Sequence, residues 1–109
     1  PKEEKSAEHI YVKQGKKATK IPLNEILYIE SLKDYIRIHT DEDRYMIKMT
    51  MCNMEKQLPE NDFLRTHKSF MISVSKITAL TPTRVFLGET EIPIGRNYKQ
   101  GVLSRLNYK

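Results

Sequence analysis

Short runs in which apolar and polar residues alternate, each ended by turn-forming residues, constrain this chain more than any other feature. A strand turns successive side chains to opposite faces, so alternation over a handful of residues points to a strand with one buried face. Residues 35–40 (YIRIHT) alternate without a break, with Ile36 and Ile38 predicted inward and Tyr35, Arg37 and His39 outward. Residues 9–14 (HIYVKQ), 18–21 and 26–30 (ILYIE) precede this run as strands. Lys16-Lys17 after Gly15 turns the first into the second, and Pro22-Leu23-Asn24-Glu25 reads as a brief turn or single helical turn. Asp41-Glu42-Asp43 is an acidic turn leading to a strand over 44–49, which completes a hairpin. Further short strands are predicted over residues 63–66, 69–72, 77–80, 84–87 and 91–94, with Gly88 supporting the turn between the last two.

Two segments depart from this period. Thr50 can cap a short helix whose Met51, Met54 and Leu58 lie on one face, and Pro59 stops it. The methionine face reads as ordinary core. Residues 98–106 place Tyr98, Val102 and Leu106 on one helical stripe. Gly101 weakens that helix by about 1 kcal/mol relative to Ala. The fold class implied is mainly β with two short helices. A chain of 109 residues with 39% apolar content suits one small domain with a modest core. Pro1 in place of Met reads as the start of a fragment, with residues 1–8 (PKEEKSAE) a charged linker remnant and 9–109 the domain.

Several function classes find little footing. No apolar stretch approaches the roughly 20 residues needed to cross a bilayer, and no signal-like segment opens the sequence. A single cysteine, Cys52, allows no internal disulfide, and a cytoplasmic compartment is expected. At the start of a helix its thiolate would be favoured, but a small buried apolar filler is the expected role. His9, His39 and His67 are scattered, so no metal or cofactor is expected. Asp41-Glu42-Asp43 lacks the glycine and distal Glu of a calcium loop. Gly88 and Gly95 are single glycines rather than a phosphate-cradling loop, and no hydrolase or kinase signature appears. The chain is expected not to be an enzyme.

Charge is more informative. The net charge is +5, but residues 1–62 hold 11 Lys/Arg against 12 Asp/Glu, whereas residues 63–109 hold 8 against only Glu89 and Glu91. A basic surface confined to one region attracts a polyanion such as nucleic acid or an anionic membrane, with a solubilising face the alternative. Three polar clusters lie at strand ends and loops, where binding residues usually sit. They are Lys33-Asp34-Tyr35, Arg65-Thr66-His67-Lys68-Ser69 and Arg96-Asn97-Tyr98-Lys99. Each mixes cations with hydroxyl or amide groups, which suits phosphate positioning together with reading of base edges. A β-rich protein-interaction module gripping an acidic partner, and a single-stranded nucleic-acid-binding domain using Tyr28, Tyr35 and Tyr45 as platforms, stay open as alternatives.

On three segments the sequence resembles the LytTR domain, the DNA-binding output module of LytR/AlgR-type response regulators. They are residues 26–40 (ILYIESLKDYIRIHT), residues 63–73 (FLRTHKSFMIS) with Lys76-Ile77, and residues 92–99 (IPIGRNYK). Ser73 stands where the family typically has Asn. The resemblance implies an elongated, mainly β fold of about ten short strands with short helices, whose loops enter successive major grooves of double-stranded promoter DNA. Carried over by position, the candidate base readers are Lys33 or Tyr35, then Lys68, then Arg96. Arg96 leads, because a guanidinium grips guanine O6 and N7 bidentately. Ser69, Asn97, Tyr98 and Lys99 would hold phosphates, and His67 would be a phosphate contact or a packed, hydrogen-bonded residue. Asp34 would accept from a cytosine amine or orient Lys33. The family context adds an N-terminal receiver domain and a cognate histidine kinase. The module is expected to be a monomer alone, with a side-by-side dimer on repeated half-sites open.

Overall fold

Alternation is realised as strands almost wherever the sequence shows it, across residues 9–108, the part that the computed structural model describes. Residues 1–8, read above as a linker remnant, lie outside the described residues. Ten strands and two short helices make a mainly β fold. The chain divides into two compact units at the Gln57–Leu58 boundary.

In the first unit, β1 (His9–Gln14) and β2 (Lys17–Pro22) form an antiparallel hairpin. Its turn passes through Gly15 at φ +70°, a conformation glycine adopts freely. A 3₁₀ turn over Leu23–Glu25 leads into β3 (Ile26–Leu32), β4 (Tyr35–Thr40) and β5 (Arg44–Ile47), each antiparallel to the next. Ile36 and Ile38 of β4 are fully buried, as their alternation requires. β3 instead buries Ile26 and Ile29, three residues apart. Strict alternation cannot place both on one face, and the chain resolves this with a bulge. The register passes from Ile26 opposite Thr40 to Tyr28 opposite His39, leaving Leu27 as the extra residue.

Helix α1 (Met51–Gln57) begins as expected. The Asn53 N–H donates to Thr50 Oγ1 at 3.1 Å, and the Met54 N–H to the Thr50 carbonyl at 3.1 Å. Met51 and Met54 are buried. Cys52, expected as a buried filler, is exposed. One residue of helix turns a side chain by about 100°, so the position after Met51 leaves the apolar stripe.

In the second unit, β6 (Phe63–His67) and β7 (Phe70–Ser73) form a hairpin, and β8 (Ala79–Leu80), β9 (Arg84–Leu87) and β10 (Thr90–Pro93) form an antiparallel sheet in the order β10-β9-β8. β8 is shorter than predicted because a 3₁₀ turn occupies Val74–Lys76, closed by the Ile77 N–H on the Val74 carbonyl. β7 starts at Phe70 because Lys68 and Ser69 are used as the turn. Val85, Ile92 and Val102 are among the most deeply buried side chains of this unit. Helix α2 (Lys99–Arg105) buries Val102, while Tyr98 and Leu106 at its edges are half-buried. It stops where Asn107 takes φ +57° and the Tyr108 N–H reaches back to the Leu103 carbonyl at 2.9 Å, the left-handed closure common at helix ends. Among the described residues no helix is long and apolar enough to cross a membrane, and no group of His, Cys, Asp and Glu is placed to hold a metal ion.

Candidate functional site

The second and third polar clusters meet in the second unit. β6 carries a bulge, its register passing from Arg65 opposite Met71 to His67 opposite Phe70, so Thr66 is the extra residue and is fully buried. Thr66 Oγ1 has no hydrogen-bond partner among the described residues, but its carbonyl accepts the Gly95 N–H at 2.7 Å. That bond joins β6 to the segment after β10. A Cβ on Gly95 would lie 3.3 Å from His67 Cδ2 and 3.2 Å from Tyr98 Cδ2, so a side chain there would require both rings to give by a few tenths of an ångström. No role for Gly95 follows from the sequence. Its only signal was a glycine directly before the basic run Arg96–Lys99.

Each turn is held by its own backbone and by Arg65. The Arg65 guanidinium donates to the Lys68 carbonyl at 2.7 Å and, from Nε, to the His67 carbonyl at 3.0 Å. It also lies 5.8 Å from the ring centroid of Tyr98, bringing the two loops under one cation. Arg65 therefore serves as a brace for the site, a role its place in a basic cluster did not reveal. The Ser69 N–H donates to His67 Nδ1 at 3.0 Å, and the His67 ring packs edge-on against Phe70. Of the two readings of His67, the hydrogen-bonded and packed one describes its Nδ1 side. With Nδ1 accepting, Nε2 carries the ring proton and remains the donor side of the ring. On the third loop, the Tyr98 N–H closes a turn on the Gly95 carbonyl at 2.9 Å, and α2 starts at the next residue. Lys68, Arg96, Asn97 and Lys99 are exposed, and Ser69 and Tyr98 half-buried. Lys68, Arg96 and Lys99 form no ion pair with any described residue. The geometry thus gathers His67, Lys68, Ser69, Arg96, Asn97, Tyr98 and Lys99 around one braced junction.

Lys33 and Tyr35 belong to the first unit, in a turn of their own. Leu32 pairs with Tyr35, leaving Lys33 and Asp34 as a two-residue turn with Lys33 at φ +57°. All three residues of that cluster are exposed, Tyr35 to 42%. The other two tyrosines considered as stacking platforms are half-buried. The ring of Tyr28 is stacked on His39, centroids 4.1 Å apart and planes 12° from parallel. Burial, followed by the charge of Glu30, raises the Tyr28 hydroxyl above its ordinary pKa of 10.0. Arg37 and His39, predicted outward, are spent on a cross-strand cluster. Glu30 Oε1 accepts from His39 Nε2 at 2.9 Å and from Arg37 Nη1 at 3.4 Å.

Comparison with known proteins follows the same lines. Sensory transduction protein LytT of Bacillus subtilis is 24% identical over 90 residues, spanning 77% of this chain and 37% of that protein. Transcriptional regulatory protein YpdB of Escherichia coli K12 is 30% identical over 61 residues, 56% of this chain and 25% of its own length. The chain therefore spans well under half the length of these curated relatives. A solved LytTr DNA-binding domain from Bacillus cereus superposes with a TM-score of 0.80 at 21% identity, covering 92% of this chain and 97% of the other, so the fold is shared. The profile of the LytTr DNA-binding domain matches residues 16–107, and the chain belongs to that family.

Proposed function

We propose that this chain binds double-stranded promoter DNA sequence-specifically, as the output module of a bacterial two-component response regulator. The observation that carries this reading is the braced junction of the second unit, where Lys68, Arg96 and Lys99, none of them ion-paired with a described residue, lie exposed on two turns and the helix start beside them, tied by the Gly95–Thr66 bond. A rigid support lets loops act as readers, because a side chain held within a fraction of an ångström discriminates between base edges. Arg96 reads a guanine in the major groove, and Lys68 a second acceptor pair. Ser69, Asn97, Tyr98 and Lys99 hold phosphates, and Nε2 of His67 donates to another. The turn at Lys33 and Tyr35 reads a further major groove, successive to the first. The module performs no reaction of its own. In the whole protein a receiver domain precedes it in the cytoplasm, and a histidine kinase drives that domain. The module alone is a monomer, and side-by-side pairing on repeated half-sites stays open.

Titration of fluorescent duplexes tests the reading. Arg96→Ala should weaken binding to the preferred duplex by about 1–3 kcal/mol and relax the preference at one base pair, while random duplex is bound nearly as before. Equal weakening on both duplexes would make Arg96 a phosphate contact and remove it as a reader. Absence of duplex binding at low salt would overturn the function itself.

A further inference from the structure

The candidate junction does not absorb the most concentrated positive charge in the chain. Residues 9–22, the β1–β2 hairpin, contain Lys13, Lys16, Lys17 and Lys20 and no Asp or Glu. Carboxylates elsewhere in residues 1–62 cancel these lysines in the regional sum, so the regional charge conceals them. All four are exposed, and none is ion-paired with a described residue.

Register decides where they point. Ile10 opposite Ile21 and Val12 opposite Thr19 share the inner face, which is buried at Ile10, Val12 and Ile21. Tyr11 opposite Lys20 and Lys13 opposite Ala18 share the outer face. Tyr11 is 57% exposed there, the most exposed large hydrophobic residue among those described, and His9 packs edge-on against its ring at 5.1 Å. Lys16 sits at the tip, beside Gly15. The result is one face with two lysines flanking an upright tyrosine, a third lysine at its end and no acid. Like charges so placed repel one another, and a polyanion relieves the repulsion while releasing its own counterions.

Resting on the function proposed above, we infer that the outer face of the β1–β2 hairpin is a second DNA contact, a sequence-independent grip on duplex phosphates by Lys13, Lys16 and Lys20 with the Tyr11 hydroxyl between them. It differs in kind from the junction. A lysine on a flexible stem is a point charge without the fork geometry that reads a base, so this face adds affinity and salt dependence without specificity.

The test is a salt titration of preferred and random duplexes with the whole chain and with K13Q/K16Q/K20Q, exposed substitutions whose retained fold is checked by circular dichroism. The variant should bind both duplexes more weakly by the same factor, about ten- to a hundredfold at 0.1 M salt, and its log K against log salt slope should be shallower by about 2–3. K13R/K16R/K20R, which keeps the charge, should behave as the parent. An unchanged slope and unchanged affinities in the Gln variant would overturn the hairpin contact while leaving the function intact. A parent chain that binds no duplex would overturn both. Loss of binding to vesicles containing phosphatidylserine, with duplex binding unaltered, would reassign the face to a membrane surface.

Discussion

Lys33 accepts a backbone conformation that costs an L-residue about 1 kcal/mol or more, and it does so at the tip of a two-residue turn. Under the proposed function, what this local cost retains is an exposed ammonium group next to Tyr35. Lys33→Gly should therefore raise stability by up to about 1 kcal/mol, the relief of strain being partly offset by the greater freedom of glycine in the unfolded chain. The same substitution should weaken duplex binding. Thermal melts and duplex titrations on one preparation check the pair of outcomes. Higher melting temperature with unchanged affinity would leave the lysine without a role in the turn. Thr66 illustrates a second local departure, a buried hydroxyl without a described partner in a residue whose backbone carbonyl makes the contact to Gly95. At both positions a local rule is broken within a polar cluster of the candidate site.

Helix α2 breaks local rules along its whole first half. Tyr98 precedes it without a side-chain cap, Lys99 places a cation where the helix dipole disfavours one, and Gly101 sits in its interior. Two of those three residues belong to the candidate interface, and Gly101 does not. A Cβ at Gly101 meets no atom within 4 Å, and the residue is exposed, so Gly101→Ala should stabilise the domain by about 0.5–1 kcal/mol with duplex affinity unchanged. Denaturant unfolding measures the first quantity, and a loss of stability would mean that the helix needs the glycine for a contact not seen here. Elements of this kind were largely legible beforehand. The 35–40 strand, the Thr50 cap and the Tyr98–Val102–Leu106 stripe follow from periodicity and capping chemistry. The bulges at Leu27 and Thr66 did not show, because a bulge is fixed by the partner strand rather than by the run that contains it. Cys52 was misplaced for a simpler reason. The general tendency of cysteine to be buried yields to its position next to Met51, off the apolar stripe of the helix.

At the scale of the molecule, the polar clusters at strand ends could be read from the sequence, since a basic run between two alternating segments marks a loop. The junction of two of them could not. The bond from Gly95 to Thr66 and the Arg65 brace join residues some 30 positions apart, and no local pattern encodes that. The lysines of the β1–β2 hairpin are likewise masked in the regional charge by acids further along the chain. The proposed function makes a demand that reaches across both units. Turns that enter successive major grooves read base pairs about one helical turn apart, roughly 10 base pairs. Selection of bound duplexes from a random pool by the parent chain, by Arg96→Ala and by a Lys33→Ala/Tyr35→Ala variant measures this directly. Each variant should lose its preference at a different position of the selected site, and the two positions should be separated by about that distance. If the turns act on distant base pairs, as the proposed function requires, their effects on affinity should add when all three substitutions are combined. Loss of preference at the same or an adjacent base pair would mean that the two turns share one groove. A site unchanged by the Lys33/Tyr35 variant would confine base reading to the second unit.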